Sequence, residues 1–136
     1  MPTSNAGGAD EPSRADLRGV RVLVVEDHWH VALALKSLLE AEGMEVIGPA
    51  ATTADAQRLA AEQKLELAVV DIHLKLETTY TLIHQLDDQG VRVVVVSAYA
   101  VLPQMTGKVA AVLQKPFNGP ELLAVLRRAL RHNDRR

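Results

Sequence analysis

Val93-Val94-Val95-Val96-Ser97 decides the fold. A strand with one wet face alternates apolar and polar residues; this run does not, so both of its faces must be covered, as in a parallel sheet flanked by helices. Two other runs read the same way, Val20 to Glu26 and Leu67 to Asp71, and each stops at an acid. Two shorter ones complete the set: Met44 to Ile47, ended by Gly48-Pro49, and Ala110 to Leu113, ended by Gln114-Lys115-Pro116.

Helical periods fill the gaps. His28 to Glu42 carries Val31, Leu35, Leu38 and Leu39 at helical spacing and stops at Gly43. Thr52 can cap a second helix, with Asp55 in capping-box position and Ala56, Leu59 and Ala60 facing inward. Thr79 to Asp88 presents Leu82, Ile83 and Leu86. Asn118 can cap a last helix, with Glu121 in the reciprocal position and a buried stripe of Leu122, Leu126, Ala129 and Leu130. Alternating strands and helices predict an α/β fold, a doubly wound five-stranded parallel sheet. One gap breaks the rhythm: Ala98 to Val109 contains Pro103 and Gly107 and is too short for an ordinary helix with two loops, so the fourth helix is expected to be short or missing.

The chain has 136 residues, the size of one domain. It is 48% hydrophobic but only 3% aromatic, so the core must be built from Val, Leu, Ile and Ala. A net charge of −2 gives no reason to expect nucleic acid, and the basic tail from Arg127 to Arg136 complements the dipole of the last helix. Cysteine is absent, no signal peptide is visible, and no apolar run reaches the roughly 18 residues a bilayer span needs. A cytoplasmic protein without a membrane partner is expected. Residues 1–18 lack a hydrophobic period and read as a disordered leader; 19–132 form the domain, and 133–136 a frayed tail.

In an open α/β sheet, chemistry gathers at the carboxyl ends of the strands. Those ends carry Glu26 and Asp27, Asp71, Ser97 and Lys115. Acids brought together repel unless a cation sits among them, and all-oxygen ligands suit Mg²⁺. A lysine and a hydroxyl at the same rim suit an incoming phosphoryl group. A carboxylate that is more than a metal ligand can be a nucleophile. Taken singly, each residue has a plainer role: acids at strand ends cap helices, and Lys115-Pro116 is a loop. It is the joint pattern that points to chemistry. His28 and His30 flank Trp29, but residues two apart on a helix face different ways, so no metal site is expected from the pair, and Trp29 reads as packing at the rim or as a small surface contact. His84 and His132 read as solvated.

Val24-Val25-Glu26-Asp27, Val69-Val70-Asp71, Val95-Val96-Ser97-Ala98 and Gln114-Lys115-Pro116-Phe117 resemble the motifs of response-regulator receiver domains, over roughly residues 20–131. The resemblance implies a flavodoxin-like fold in which Asp71 is the phosphoacceptor. It implies that Glu26, Asp27, Asp71 and the backbone carbonyl of His73 hold Mg²⁺, Glu26 through water, and that Ser97 and Lys115 bind the phosphoryl oxygens. The donor would be a histidine kinase or a phosphotransfer protein, and a homodimer is possible. Departures stand out: Lys75 replaces the family's proline, Thr79 a frequent glycine, and Val112 the aromatic switch residue. Such changes, with the short or missing fourth helix, are similar to those of a stand-alone subgroup. With no second domain expected after Arg136, output would pass to a downstream protein partner. Switching would fall to Ser97 and Tyr99, because Val112 has no ring to turn.

Two other functions compete. A phosphorylation-independent pseudo-receiver should have lost Asp71, an acid or Lys115, and has lost none. A Mg²⁺-dependent aspartyl-phosphate phosphatase needs an acid two residues after the nucleophile, where this chain has His73. The expectation is therefore a non-enzymatic signalling domain, with at most slow self-dephosphorylation.

Overall fold

A computed structural model of the chain describes residues 16–98 and 108–131. The order is β1 (Arg21–Val25), α1 (Trp29–Ala41), β2 (Glu45–Ala50), α2 (Thr53–Glu62), β3 (Leu67–Asp71), α3 (Tyr80–Asp88), β4 (Arg92–Ser97), β5 (Ala111–Gln114) and α4 (Gly119–Arg131). The strands form one parallel sheet in the order β2-β1-β3-β4-β5. This is the doubly wound fold expected from the unbroken valine runs.

Every residue of β3 and β4 is buried. Period-two alternation splits them between two cores. Leu23, Val25, Val70, Val93 and Val95 pack with Ala56, Leu82, Ile83 and Leu86 on the α2–α3 face. Val22, Val24, Val69, Val94 and Val96 pack with Leu35, Leu39, Leu122 and Leu126 on the α1–α4 face. Polar caps fix where two helices begin. Thr52 Oγ1 accepts from the Asp55 N–H at 3.1 Å, and Asn118 and Glu121 exchange two hydrogen bonds of 2.8 Å.

Two expected boundaries are corrected. β2 does not end at Gly48-Pro49 but runs on to Ala50, whose carbonyl accepts the Glu26 N–H at 2.9 Å. The register shifts between Leu23 and Val25, and this irregularity carries the edge strand past a proline that cannot donate. Gly48 permits it: its φ is +96°, and a Cβ there would meet the Ala50 nitrogen at 2.8 Å. The leader expected through residue 18 is also too long. Leu17 is only 3% exposed and belongs to the α1–α4 core, while the Gly19 N–H bonds the Gly43 carbonyl at 2.7 Å. Residues 1–15, the segment 99–107 and the tail 132–136 lie outside the described residues, and with them the expectations about most of the leader, the fourth helix, Tyr99 and His132. Among the described residues, no helix is long and apolar enough to cross a membrane.

Candidate functional site

The strand order reverses between β1 and β3, which opens a crevice at their carboxyl ends. Glu26 and Asp27 follow β1, and Asp71 closes β3. Pairing of β4 with β5 sets Ser97 beside Gln114, and the Lys115 N–H donates to the Ser97 carbonyl at 2.8 Å. That bond holds Lys115 over the crevice. Its ammonium lies 2.9 Å from Asp71 Oδ2 and 3.4 Å from Glu26 Oε1. Residues 26, 71 and 115, far apart in sequence, thus meet as expected, with Ser97 buried at the end of the neighbouring strand.

Burial pushes the Asp71 carboxyl above its ordinary value, and the charge of Glu26 adds to this; Lys115 and the His73 N–H, which donates to Asp71 Oδ1 at 3.0 Å, pull the other way without cancelling it. Burial works to lower the Lys115 ammonium, but its hydrogen bonds and charge contacts with Asp71 and Glu26 outweigh this and hold it above its usual range. Burial of the carboxylate, with Glu26 beside it, accounts for the first direction, and two acids around one ammonium for the second.

The donor atoms of Glu26, Asp27 and His28 lie within 4.8 Å of one another. His28 Nδ1 is 3.0 Å from Glu26 Oε2 and 3.3 Å from Asp27 Oδ1. Asp27 Oδ1 is buried and takes no hydrogen bond, while the Lys75 N–H donates to Oδ2 of the same carboxylate. A buried carboxylate oxygen without a donor, beside further ligating atoms, is suited to a cation. Asp71 is joined to this cluster through Lys115 and Glu26 rather than sharing it.

Sequence reasoning passed over three contributors. His28, which the sequence pairs with His30, is the N-cap residue, still extended (φ −85°, ψ 106°), and its ring turns back to the acids. Thr79, noted only as a departure, is buried; its hydroxyl donates to the carbonyls of Asp71 (2.9 Å) and Ile72 (3.3 Å). Lys75 acts through its main-chain N–H, which a proline there would lack. Of the two readings of Trp29, its 72% exposure fits a surface contact rather than rim packing. Val112 lies 41% exposed on the edge strand, and His84 is exposed as expected.

The response regulator receiver domain model matches residues 22–127. The chain belongs to this family. A crystal structure of a CheY-like receiver domain protein from Methanospirillum hungatei is similar, with a TM-score of 0.78 at 26% identity over 86% of this chain and 98% of that one. A response regulator from Burkholderia pseudomallei, crystallised with a phosphorylated aspartic acid, a calcium ion and citrate, is 30% identical, with a TM-score of 0.71 over 79% of this chain and 66% of that one. YbdJ of Bacillus subtilis, described as an uncharacterized transcriptional regulatory protein, is 29% identical over 86% of this chain. The receiver domain spans about half of that relative's length (53%). A receiver domain is a signalling module of two-component systems, and that coarse role holds for this chain.

Proposed function

We propose that this receiver domain accepts a phosphoryl group on Asp71 from a histidine kinase or phosphotransfer protein, in a step that requires Mg²⁺, and signals through a protein partner. The Lys115–Asp71 contact of 2.9 Å carries the reading. It sets the ammonium beside the oxygen that would attack, where the transferred charge arrives.

In the step, an Asp71 carboxylate oxygen forms a bond to phosphorus as the bond from phosphorus to the donor's nitrogen or oxygen breaks. The leaving group departs with the electron pair; a ring nitrogen then takes a proton from water, whereas a carboxylate leaves as the anion. Lys115 then stands beside a dianionic phosphoryl group as a point charge, and Ser97, buried at the end of β4, is the candidate hydrogen-bond donor. The His73 N–H holds the other oxygen of Asp71 and so aims the nucleophile. Glu26, Asp27 and Asp71, with the His73 carbonyl, are the candidate ligands of Mg²⁺, which supplies charge neutralisation at the phosphoryl oxygens. The orphaned oxygen of Asp27 fits such an ion.

Incubation with acetyl phosphate, read by intact mass, tests the proposal. One phosphoryl adduct is expected with Mg²⁺, and none with EDTA or in Asp71→Ala. An adduct that persists in Asp71→Ala overturns the assignment, and one indifferent to EDTA overturns the metal requirement. The pseudo-receiver reading predicts no adduct in any arm.

A further inference from the structure

His28 occupies a position that ordinarily serves the helix behind it. An N-cap residue is usually Ser, Thr, Asp or Asn, whose side chain accepts from the first turn. The His28 side chain makes no such bond. Its ring is aimed backward instead, with Nδ1 3.0 Å from Glu26 Oε2 and 3.3 Å from Asp27 Oδ1. The Asp27 side chain is only 8% exposed, and its Oδ1 has no hydrogen-bond partner. Its other oxygen is held by the Lys75 N–H, so the free one stays turned into the cluster.

We infer that His28 Nδ1, Asp27 Oδ1 and a Glu26 oxygen form a mixed nitrogen–oxygen site that takes a divalent transition metal such as Zn²⁺ or Ni²⁺ in preference to Mg²⁺. The inference rests on the metal reading above and deepens it. Ligands at about 2.1 Å from a six-coordinate ion, set at right angles, lie about 3.0 Å apart, and tetrahedral ones at similar length about 3.3 Å. His28 Nδ1 already has that spacing from both carboxylate oxygens, and all three donor atoms lie within 4.8 Å of one another. A neutral imidazole suits Zn²⁺ and Ni²⁺, whereas Mg²⁺ selects hard oxygens and gains little from nitrogen. His28 therefore changes which ion the site prefers rather than whether the acids bind one. Its half-exposed ring leaves an entry path at the crevice rim.

Calorimetric titration of the full chain with Mg²⁺, Zn²⁺ and Ni²⁺ tests this, using His28→Asn as the main variant. Asparagine is a favoured N-cap and retains an amide able to bond Glu26, so folding is preserved. Zn²⁺ and Ni²⁺ affinities should fall by about tenfold or more in His28→Asn, while Mg²⁺ affinity changes less than about threefold. The His28 Nδ1 resonance should shift on Zn²⁺ addition. An unchanged Zn²⁺-to-Mg²⁺ affinity ratio overturns the inference, as does a Zn²⁺ loss that follows His30→Ala or His84→Ala instead. Asp27→Ala separates the two levels: Mg²⁺ binding that survives it removes the metal reading itself, whereas Mg²⁺ binding lost there with the ratio unmoved in His28→Asn removes the histidine alone.

Discussion

The main-chain N–H of Lys75 donates to Oδ2 of Asp27, a residue 48 positions earlier in the chain. This single bond ties the loop after β3 to the acid after β1, across the crevice between the two strands. It is open to this chain because Lys75 stands where the family usually has proline. Groups that orient a metal ligand typically contribute 10- to 100-fold in affinity. Lys75→Pro should therefore weaken Mg²⁺ binding by roughly tenfold, while Lys75→Ala, which keeps the N–H, leaves it unchanged. Equal affinities for the two variants, by calorimetry, would show that the bond does not position Asp27.

Asp71 gives a stability effect with a definite sign. Its folded-state carboxyl titrates above its ordinary value, first because it is buried and also because Glu26 is near. The folded state then binds more protons than the unfolded state just above the ordinary aspartate range. Metal-free stability should fall as pH rises through that window, because ionising Asp71 costs more in the fold than in the open chain. Asp71→Asn removes the ionisation. It should be more stable than the parent at neutral pH in EDTA, with the advantage shrinking toward pH 4. Denaturant melts at several pH values measure this; an advantage that grows as pH falls contradicts the sign.

The fold was legible because β3 and β4 are buried on both faces, and burial of that kind leaves an unbroken apolar run. The acids and Lys115 were legible because parallel topology sends every strand's carboxyl end to one rim. What escaped depends on tertiary context. Nothing in the local pattern of Gly48-Pro49 says that a neighbouring strand will shift register to carry β2 to Ala50. Helical spacing separates His28 from its neighbours only if it lies within the helix, but it precedes α1 and has extended backbone. Thr79 resembles any helix-start threonine until its hydroxyl is seen against the Asp71 carbonyl.

Leu17 was hidden for another reason: a lone leucine among polar residues has no period. Its burial predicts that the domain cannot be trimmed to Gly19 without loss. A chain starting at Gly19 should be less stable than one starting at Asp16 by about 2 kcal/mol, the usual value of burying one leucine side chain. Urea melts of the two truncations decide. Equal midpoints and slopes would mean that Leu17 contributes nothing to the core in solution.

The last prediction concerns how Asp71 is held. Its side chain is gripped by Lys115 and by the His73 N–H, and its main chain by the Thr79 hydroxyl. A hydroxyl has one proton, so the bonds of 2.9 Å to the Asp71 carbonyl and 3.3 Å to the Ile72 carbonyl share it, with the shorter dominant. The Thr79 N–H also donates to the Ile72 carbonyl at 3.0 Å. Thr79→Val keeps the shape and the N–H but removes the hydroxyl. Because the site is fully buried, water cannot replace the bond, and the cost should be about 1–2 kcal/mol of folding stability. Thr79→Ser restores the donor and should recover most of it. If the hydroxyl also fixes where the nucleophile sits, Thr79→Val should slow phosphorylation by acetyl phosphate at saturating Mg²⁺, even at a temperature where both proteins are fully folded. A displacement of about 1 Å can reduce such a reaction on the order of 100-fold. Reduced stability with an unaltered phosphorylation rate would make Thr79 a packing residue, with Asp71 aimed by its side-chain contacts alone.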